Sequence, residues 1–340
     1  MKASNIFFFA LLFLCIVTVS CNKNNQEIDY GVSISAPKMI GTPAEVFSEE
    51  NINTLRIANS FNFLLLNQPL KNSDSSFNFS FSSLGILQNV YKIEDEKYLD
   101  QLNDKFGIID TALLFENITT IKKLISTIDS TIKIDNSYSS INPKTISISQ
   151  KIEFPIFYEE ILKSKKQTFY YLNGENKTLE FFTFTRELGV YSDGSYNAID
   201  ISIGNENYSL LLIKPKDGNI NKFVNNFTEK DYKTIIEGLN SQITTISFPN
   251  ISNLSTFSLS LPNLSLDSIY KFTSLSVNSE IKIIKPNPAE LKQRKTNIDN
   301  KLKTSTKAEK YLFNKPFLFI IRGKSSNSIL TIGIFVGSNK

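Results

Sequence analysis

Apolar residues recur at helical spacing in the first part of the chain. A helix is expected over residues 45–68, where apolar side chains fall three or four positions apart. A strand that runs into a buried helix is expected over 77–93, and a short amphipathic helix over 97–108. Helix is also expected over 223–240, with Thr228 as a cap and Asp231 at the third position after it. Residues 109–145 show neither period, and the pattern alone leaves them unassigned.

Alternation of apolar and polar residues dominates the second half of the chain and predicts strands. Two of the alternating stretches contain turn residues at their centre, Asn173-Gly174 and Gly204-Asn205, which is typical of hairpins. Because helices and strands do not follow each other in regular βαβ units, the pattern indicates an α+β protein. The expected strands and hairpins cover residues 144–154, 169–188, 197–216, 242–266, 279–285 and 313–340.

The N-terminal segment has the pattern of an export signal. Lys2 precedes an apolar run of about 14 residues, which is shorter than the ~20 residues needed to span a bilayer. The sequence Thr18-Val19-Ser20-Cys21 resembles the cleavage box of bacterial lipoproteins, in which the cysteine carries lipid. We therefore expect an exported protein, anchored by lipid at the bacterial cell envelope, in the outer membrane or at the cell surface. An ordinary signal peptide, with an incidental Cys21, is the alternative.

The chain divides into three regions on this basis. Residues 1–20 are expected to be a lipoprotein signal peptide, and Cys21 is expected to be the site of lipidation. Residues 21–44 are polar, contain Gly and Pro and show no period, which is typical of a tether. Residues 45–340 are expected to form one folded domain.

The composition lacks the residues on which most enzyme mechanisms depend. The 340 residues include no His, so a Ser-His-Asp triad, a Cys-His dyad and a histidine zinc site are impossible. The two cysteines, Cys15 and Cys21, cannot form a disulfide within the folded domain. The sequence contains no Gly-rich phosphate loop. We therefore expect no metal, no cofactor and no enzyme activity, although a hydrolase with paired carboxylates stays open as an alternative.

The charge of the chain does not point to nucleic acid. The net charge is +4, and lysines and acidic residues are mixed along the sequence without a dominant basic block. A nucleic-acid-binding protein would concentrate basic residues on one face or in one segment. We expect a monomer that binds no nucleic acid and whose contact with the membrane is the N-terminal lipid.

The C-terminal stretch resembles the closing signature of the serpin family. Phe313 and the basic sequence Lys315-Pro316-Phe317 precede an apolar strand, a polar turn and a second strand that contains Gly333. The resemblance implies the serpin fold, which has a large central, mostly antiparallel β-sheet, a second smaller β-sheet and several helices. It extends over about residues 46–340 and is thinnest at 95–145, where the chain is short for the family's usual set of helices.

Other segments resemble serpin elements in the family's order. In the segment that serpins use as a shutter below the sheet, Ser82 matches the first serine, Ser83 stands in place of proline and Gly85 in place of the second serine. The family's tryptophan near the top of the central strands is absent, and Tyr158 is its nearest equivalent. The remaining matches are the central strands 198–201 and 210–215 and the strand segment 247–250.

The resemblance implies that residues 286–312 form a reactive loop offered to a protease. In serpins a serine or cysteine protease cuts this loop, which then inserts as a strand into the main sheet and traps the protease. The candidates for the residue at the cut bond are Lys301, Lys303 and Ser305, and a lysine there suits a trypsin-like protease as the partner. The hinge at which insertion begins aligns with Lys285, Pro286, Asn287, Pro288, Ala289 and Glu290.

The sequence of this hinge is unfavourable for a central strand. Pro286 and Pro288 lack the N–H that a strand ladder needs. In either register, charged residues from the stretch 290–295 would turn into the core. The same residues suit a helix, because Asn287 can cap it and Pro288 fits its first position. Two interpretations therefore stay open: an inhibitor that acts through the loop, and a non-inhibitory serpin-fold scaffold that binds a partner.

Overall fold

The structure is a computed structural model that describes residues 47–66, 79–82, 84–86, 111–142, 145–260, 274–294 and 308–337. The helices are α1 (Glu49–Leu66), α2 (Thr111–Ile128), α3 (Ile220–Asn226), α4 (Glu229–Glu237) and α5 (Pro288–Arg294), with a 3₁₀ helix at Glu159–Leu162. The strands are β1 (Phe79–Phe81), β2 (Lys133–Asn142), β3 (Thr145–Pro155), β4 (Lys165–Tyr170), β5 (Asn176–Ser192), β6 (Tyr196–Ile203), β7 (Tyr208–Pro215), β8 (Asn240–Pro249), β9 (Asn253–Ser260), β10 (Ser274–Ile284), β11 (Glu309–Leu312), β12 (Phe317–Gly323) and β13 (Ile329–Phe335).

Nine strands form a large sheet in the order β1-β13-β12-β7-β6-β5-β8-β11, with β4 paired to β5. The pairs are antiparallel except for β8 and β11, which run in parallel. Every residue of β12 and β13 is buried, which explains why both strands are nearly continuous apolar runs rather than alternating ones. The C-terminal pair therefore lies in the middle of the hydrophobic core.

Four strands form a smaller sheet in the order β2-β3-β10-β9. Its alternation is clean: Ile148, Ile152 and Phe154 of β3 are buried, whereas the residues between them are at least partly exposed, apart from the buried Gln150. Period-two patterning of this kind places one face of the sheet on the core and leaves the other in solvent. β2 and β3 follow each other through residues 143–144 alone, so no helix lies between them.

The cap predicted at Thr228 is confirmed, but the stretch 223–240 contains parts of two helices rather than one. α3 ends at Asn226, Phe227 adopts an extended conformation, and α4 begins after Thr228. The Thr-x-x-Asp sequence explains the break: the Thr228 hydroxyl accepts from the Asp231 N–H, and the Asp231 carboxylate accepts from the Thr228 N–H at 2.8 Å. A capping box starts a new helix at this point.

The other sequence predictions agree with the structure where residues are described. The helix of 45–68 is α1, and both hairpins are present, with Gly174 and Gly204 in left-handed turn conformations at φ of +85° and +57°. The unassigned stretch 109–145 contains α2 and β2. The helix expected over 97–108, the signal peptide 1–20 and the tether 21–44 lie outside the described residues.

Candidate functional site

Two parallel strands lie side by side at the centre of the small sheet. β3 and β10 pair over eleven residue pairs, from Thr145 with Ser274 to Pro155 with Ile284. Their outer neighbours, β2 and β9, pair with them in antiparallel orientation. A strand inserted between β3 and β10 in the opposite direction would be antiparallel to both, and antiparallel pairing is slightly more stable per residue. We call this line of contact the seam, and in the structure it is closed along its whole length.

The buried side of the seam is mostly apolar, with one polar position on each strand. Gln150 of β3 lies directly opposite Ser279 of β10, and both side chains are buried. The rest of the floor consists of Ile148, Ile152 and Phe154 on β3 and Val277, Ile281 and Ile283 on β10. Any strand inserted here would have to place uncharged side chains on this floor.

Gln150 links the seam to the shutter segment that the sequence identified. Its side-chain oxygen accepts from the Ser82 N–H at 2.9 Å, and its side-chain nitrogen donates to the Ser82 carbonyl at 2.8 Å. The contact therefore uses the Ser82 backbone rather than its hydroxyl. Sequence analysis missed Gln150, although a polar residue on the inward face of an alternating strand is a signal that could have found it.

Gly85 lies in a helical turn directly beneath the same strands. A Cβ atom added there would come within 2.5 Å of Asn136 Oδ1 and 2.8 Å of Gln150 Nε2. The side chains of β2 and β3 thus occupy the space that a larger residue would need. The structure therefore brings both shutter residues, Ser82 and Gly85, against the floor of the seam.

The hinge residues leave β10 and enter a helix at once. Lys285 is exposed and Pro286 is buried, and the Asn287 side chain accepts from the Ala289 N–H at 2.9 Å. Pro288, Ala289 and Glu290 form the exposed first turn of α5. This confirms the helix that the sequence predicts over these residues, with Asn287 as its cap and Pro288 at its first position.

Helix α5 contains one buried side chain among its described residues. Leu291 is 5% exposed, and the buried Pro286 precedes the helix. The candidates for the cut bond, Lys301, Lys303 and Ser305, and the lipidation candidate Cys21 lie outside the described residues. The chain resumes before β11, which pairs in parallel with β8 at the edge of the large sheet. The segment 285–308 therefore connects the centre of one sheet to the edge of the other.

Tyr158 follows β3 at the hinge end of the seam. Its ring centroid lies 4.8 Å from that of Phe184, and the guanidinium carbon of Arg186 lies 5.3 Å from the Tyr158 ring. Arg186 also donates to Glu160 at 2.9 Å. An aromatic ring and a cation thus pack against each other where the chain leaves β3, and this ring belongs to the residue that is the nearest equivalent of the family's tryptophan.

Two further observations concern the described part of the chain. Among its residues, none of the groups of acidic or cysteine side chains has the arrangement to hold a metal ion. Its helices are all too short or too polar to cross a bilayer.

Comparison with known proteins identifies one family. The family model described as serpin (serine protease inhibitor) matches residues 160–337. A solved structure of native protease nexin-1 with heparin superposes with a TM-score of 0.61 at 12% identity, over 86% of this chain and 100% of that one. A structure of SRPN18 from Anopheles gambiae gives 0.60 at 13% identity, over 84% and 99%. A search of curated protein sequences returned no match.

Proposed function

This chain belongs to the serpin family, and we propose that it is a protease inhibitor held at the bacterial cell envelope by a lipid on Cys21. Serpins are generally inhibitors of proteases rather than enzymes. The observation that carries the proposal is the seam: a parallel pair at the centre of the small sheet, followed directly by a segment that ends in the other sheet. Under this proposal a strand is added at the seam, and segment 285–308, which follows β10 in the chain, supplies it.

The mechanism uses the protease's own chemistry. The catalytic serine or cysteine of the protease attacks a carbonyl in the loop, and an ester or thioester forms as the peptide bond breaks. The part of the loop that is still joined to β10 then enters the seam and carries the acyl-enzyme with it. Completion of an antiparallel sheet stabilises the inserted state. The protease remains covalently bound because its active site is displaced before water can hydrolyse the ester or thioester.

The target class follows from the residues at the loop's centre. Lys301 and Lys303 would suit the acidic pocket of a trypsin-like protease, and Ser305 marks the other limit of the candidate stretch. The alternative is that both lysines are simply part of a solvated polar loop. The protease as target, rather than a peptide or a nucleic acid, rests on membership of the family.

A second candidate function is favoured by the hinge. Asn287 caps α5, and the side chains of Pro286 and Leu291 are buried. The residues that would have to enter the seam first therefore already form the start of a helix. Pro286 and Pro288 also lack the N–H that a central strand needs. A serpin-fold lipoprotein that binds a partner without inserting its loop is consistent with these contacts.

One experiment separates the two functions. The purified protein is incubated with a trypsin-like serine protease and examined by denaturing gel electrophoresis, and the Tm of the cut protein is compared with that of the intact protein. An inhibitor gives a complex that survives SDS, and its cut form has a higher Tm. Cleavage within 286–312 with no complex and an unchanged Tm would refute the inhibitor function and support the non-inhibitory scaffold.

Matched lysine variants test the site of attack. Lys301→Ala combined with Lys303→Ala should abolish the complex with the trypsin-like protease, because the pocket of that protease requires a basic residue. Lys230→Ala, at an exposed position on α4, should leave the complex unchanged. Loss of the complex in both variants, or in neither, would contradict the assignment of the cut bond to 301–305.

The proposed location has its own test. We expect the wild-type protein to fractionate with membranes after expression in a bacterial host, because a lipid on Cys21 would anchor it. Cys21→Ala should shift the protein to the soluble fraction, whereas Cys15→Ala should have no effect. Equal membrane association of the wild type and the Cys21→Ala variant would refute lipid anchoring at this residue.

A further inference from the structure

Charged side chains form a regular pattern on the solvent face of the small sheet. The pattern consists of two rows that run across β2, β3 and β10, and each row contains one residue from each strand. The sign of the charge alternates from strand to strand within a row and from row to row within a strand. The rows are Lys133–Glu153–Lys282 and Asp135–Lys151–Glu280. Every charge therefore has opposite charges directly across from it and two residues along its own strand, whereas its diagonal neighbours carry the same sign.

The central charges of this pattern are in contact. Lys151 Nζ lies 3.0 Å from Glu153 Oε1 on the same strand and 3.7 Å from Glu280 Oε2 across the seam. Lys282 Nζ lies 3.5 Å from Glu153 Oε1, also across the seam. The side chain of Glu153 is only 14% exposed, so it is the best shielded from solvent and accepts from lysines on both strands. Two ion pairs thus join β3 to β10.

The charges lie at one end of the seam. Lys282 is two residues from the end of β10, after which the hinge begins at Lys285. On the same solvent face, the other end of the seam carries only neutral side chains, with Ser149 opposite Asn278 and Ser147 opposite Ser276. If the sheet opened from the hinge end, the Lys282–Glu153 pair would break first and the Lys151–Glu280 pair next.

A strand inserted in the seam would separate these pairs. Neighbouring strands lie about 4.8 Å apart, so an extra strand would place β3 and β10 roughly 9.6 Å apart. The partners of each ion pair would then no longer face each other directly, because the inserted strand would lie between them. A single exposed ion pair contributes little to stability, but several charges that form a network can contribute more.

We propose that these six charges form an ionic clasp that keeps the hinge end of the seam closed and sets how readily the small sheet opens. The part of the proposal that concerns opening of the sheet in the uncut protein rests only on the ion pairs across the seam. Control of strand insertion rests on the proposed function. The clasp would hold the sheet shut until the loop is cut, and its strength would fall as salt screens the charges.

The test uses variants of identical composition and net charge. Exchange of the two β10 charges, Glu280→Lys with Lys282→Glu, places like charges across the seam while keeping the alternation along β10. Exchange of all three pairs, adding Lys151→Glu with Glu153→Lys and Lys133→Asp with Asp135→Lys, restores opposite charges at every position. The control exchanges Lys233 and Glu237, which form an exposed pair within α4 and belong to neither strand of the seam.

Amide hydrogen exchange of β10 in the uncut protein is the readout, with the amides of β12 and β13 as an internal reference. The β10 exchange should accelerate roughly threefold to tenfold in the two-residue variant and return close to the wild-type rate in the complete inversion. The wild-type rate should increase with salt. An unchanged rate in the two-residue variant, or a fast rate that persists in the complete inversion, would overturn the clasp.

A second readout separates the clasp from the proposed function. The loop is cut and the time course of the gain in Tm is followed for the same variants. Faster gain in the two-residue variant supports control of insertion by the clasp. If no variant gains Tm, insertion fails as a function, while the exchange rates of the uncut proteins still decide whether the clasp exists.

Discussion

Gln150 shows how a single polar residue can organise a buried region. It lies on a strand face of Ile and Phe side chains, where an unpaired amide would cost about 1–3 kcal/mol. The Ser82 backbone satisfies both halves of the amide, at 2.9 and 2.8 Å. The residue therefore ties the segment after β1 to the seam strand, and it does so with groups that opening of the seam need not break.

Gly85 should not tolerate even one added methyl group. Its Cβ would lie 2.5 Å from Asn136 Oδ1, so Gly85→Ala is expected to lower the free energy of unfolding by about 1–3 kcal/mol through overpacking. Urea unfolding measures the change. Gly194→Ala is the matched control, since no atom lies within 4 Å of its added Cβ and its φ needs no glycine. Equal stability of the two variants would show that the packing beneath the seam is loose.

Asp200 and Arg322 form a buried ion pair in the large sheet. Arg322 donates to the Asp200 carboxylate at 2.7 and 3.3 Å, bridging β6 and β12 across β7. Burial alone would raise the pKa of Asp200, but Arg322, together with Lys324 and a hydrogen bond from Ser209, holds it below its ordinary value. The carboxylate therefore stays charged as a partner for the guanidinium.

Asp200→Asn should destabilise the protein by about 3 kcal/mol, because Arg322 is left as an uncompensated buried charge. Chemical denaturation at neutral pH measures this. The control is Glu237→Gln on α4, whose exposed partner Lys233 lies at 3.7 Å, and its loss should cost less than about 1 kcal/mol. Losses of similar size in both variants would contradict a structural role for the buried pair.

At the scale of elements, α5 and the seam use the same residues in competing ways. The cap at Asn287 and the burial of Leu291 stabilise a helix where an inserting loop needs an extended strand. The capping preference of Asn, worth about 0.5–2 kcal/mol, could be read in the sequence. The pairing of β3 with β10 could not be read in the sequence, because it joins residues more than a hundred positions apart.

The clasp gives the small sheet a defined dependence on pH. A hydrogen bond from Lys151 lowers the pKa of Glu153 below its ordinary value of 4.5; burial opposes this shift, and Lys282 adds to it. Because the folded-state pKa is depressed, the stability from Glu153 is fully present above the unfolded-state pKa and is lost as pH falls through the folded-state value.

The difference in unfolding free energy between the wild type and Glu153→Gln should therefore be constant near neutral pH and shrink below pH 4.5. Urea titrations at a series of pH values, followed by circular dichroism, provide the measurement. Asn278→Ala on the same face serves as a control that does not titrate, so its difference from the wild type should not change with pH. A Glu153→Gln difference that stays constant down to about pH 2 would argue against the ion pairs.

At the scale of the whole molecule, the position of the hinge decides which function the fold performs. The variant Pro286→Thr, Pro288→Ala and Glu290→Ala restores backbone donors and removes a charge that would be buried. After the loop is cut, its Tm should rise by about 5 °C or more above the rise seen for the wild type. Ala289→Ser is the matched control, since it exchanges one small residue for another within the same hinge. Equal rises in the hinge variant and the wild type would show that these residues do not limit insertion.

The sequence alone determined local features of this protein: helix α1, most of the strands, the two hairpin turns, the cap of α5 and the closing motif that resembles serpins. Each depends on neighbouring residues, whose periodicity and conformational preferences are visible along the chain. Only the tertiary structure decided the parallel seam, the bond of Gln150 to Ser82 and the alternating charges of the clasp. Lys151 and Glu280 become partners because strand register places them opposite each other, and register between distant strands follows from packing of the whole core.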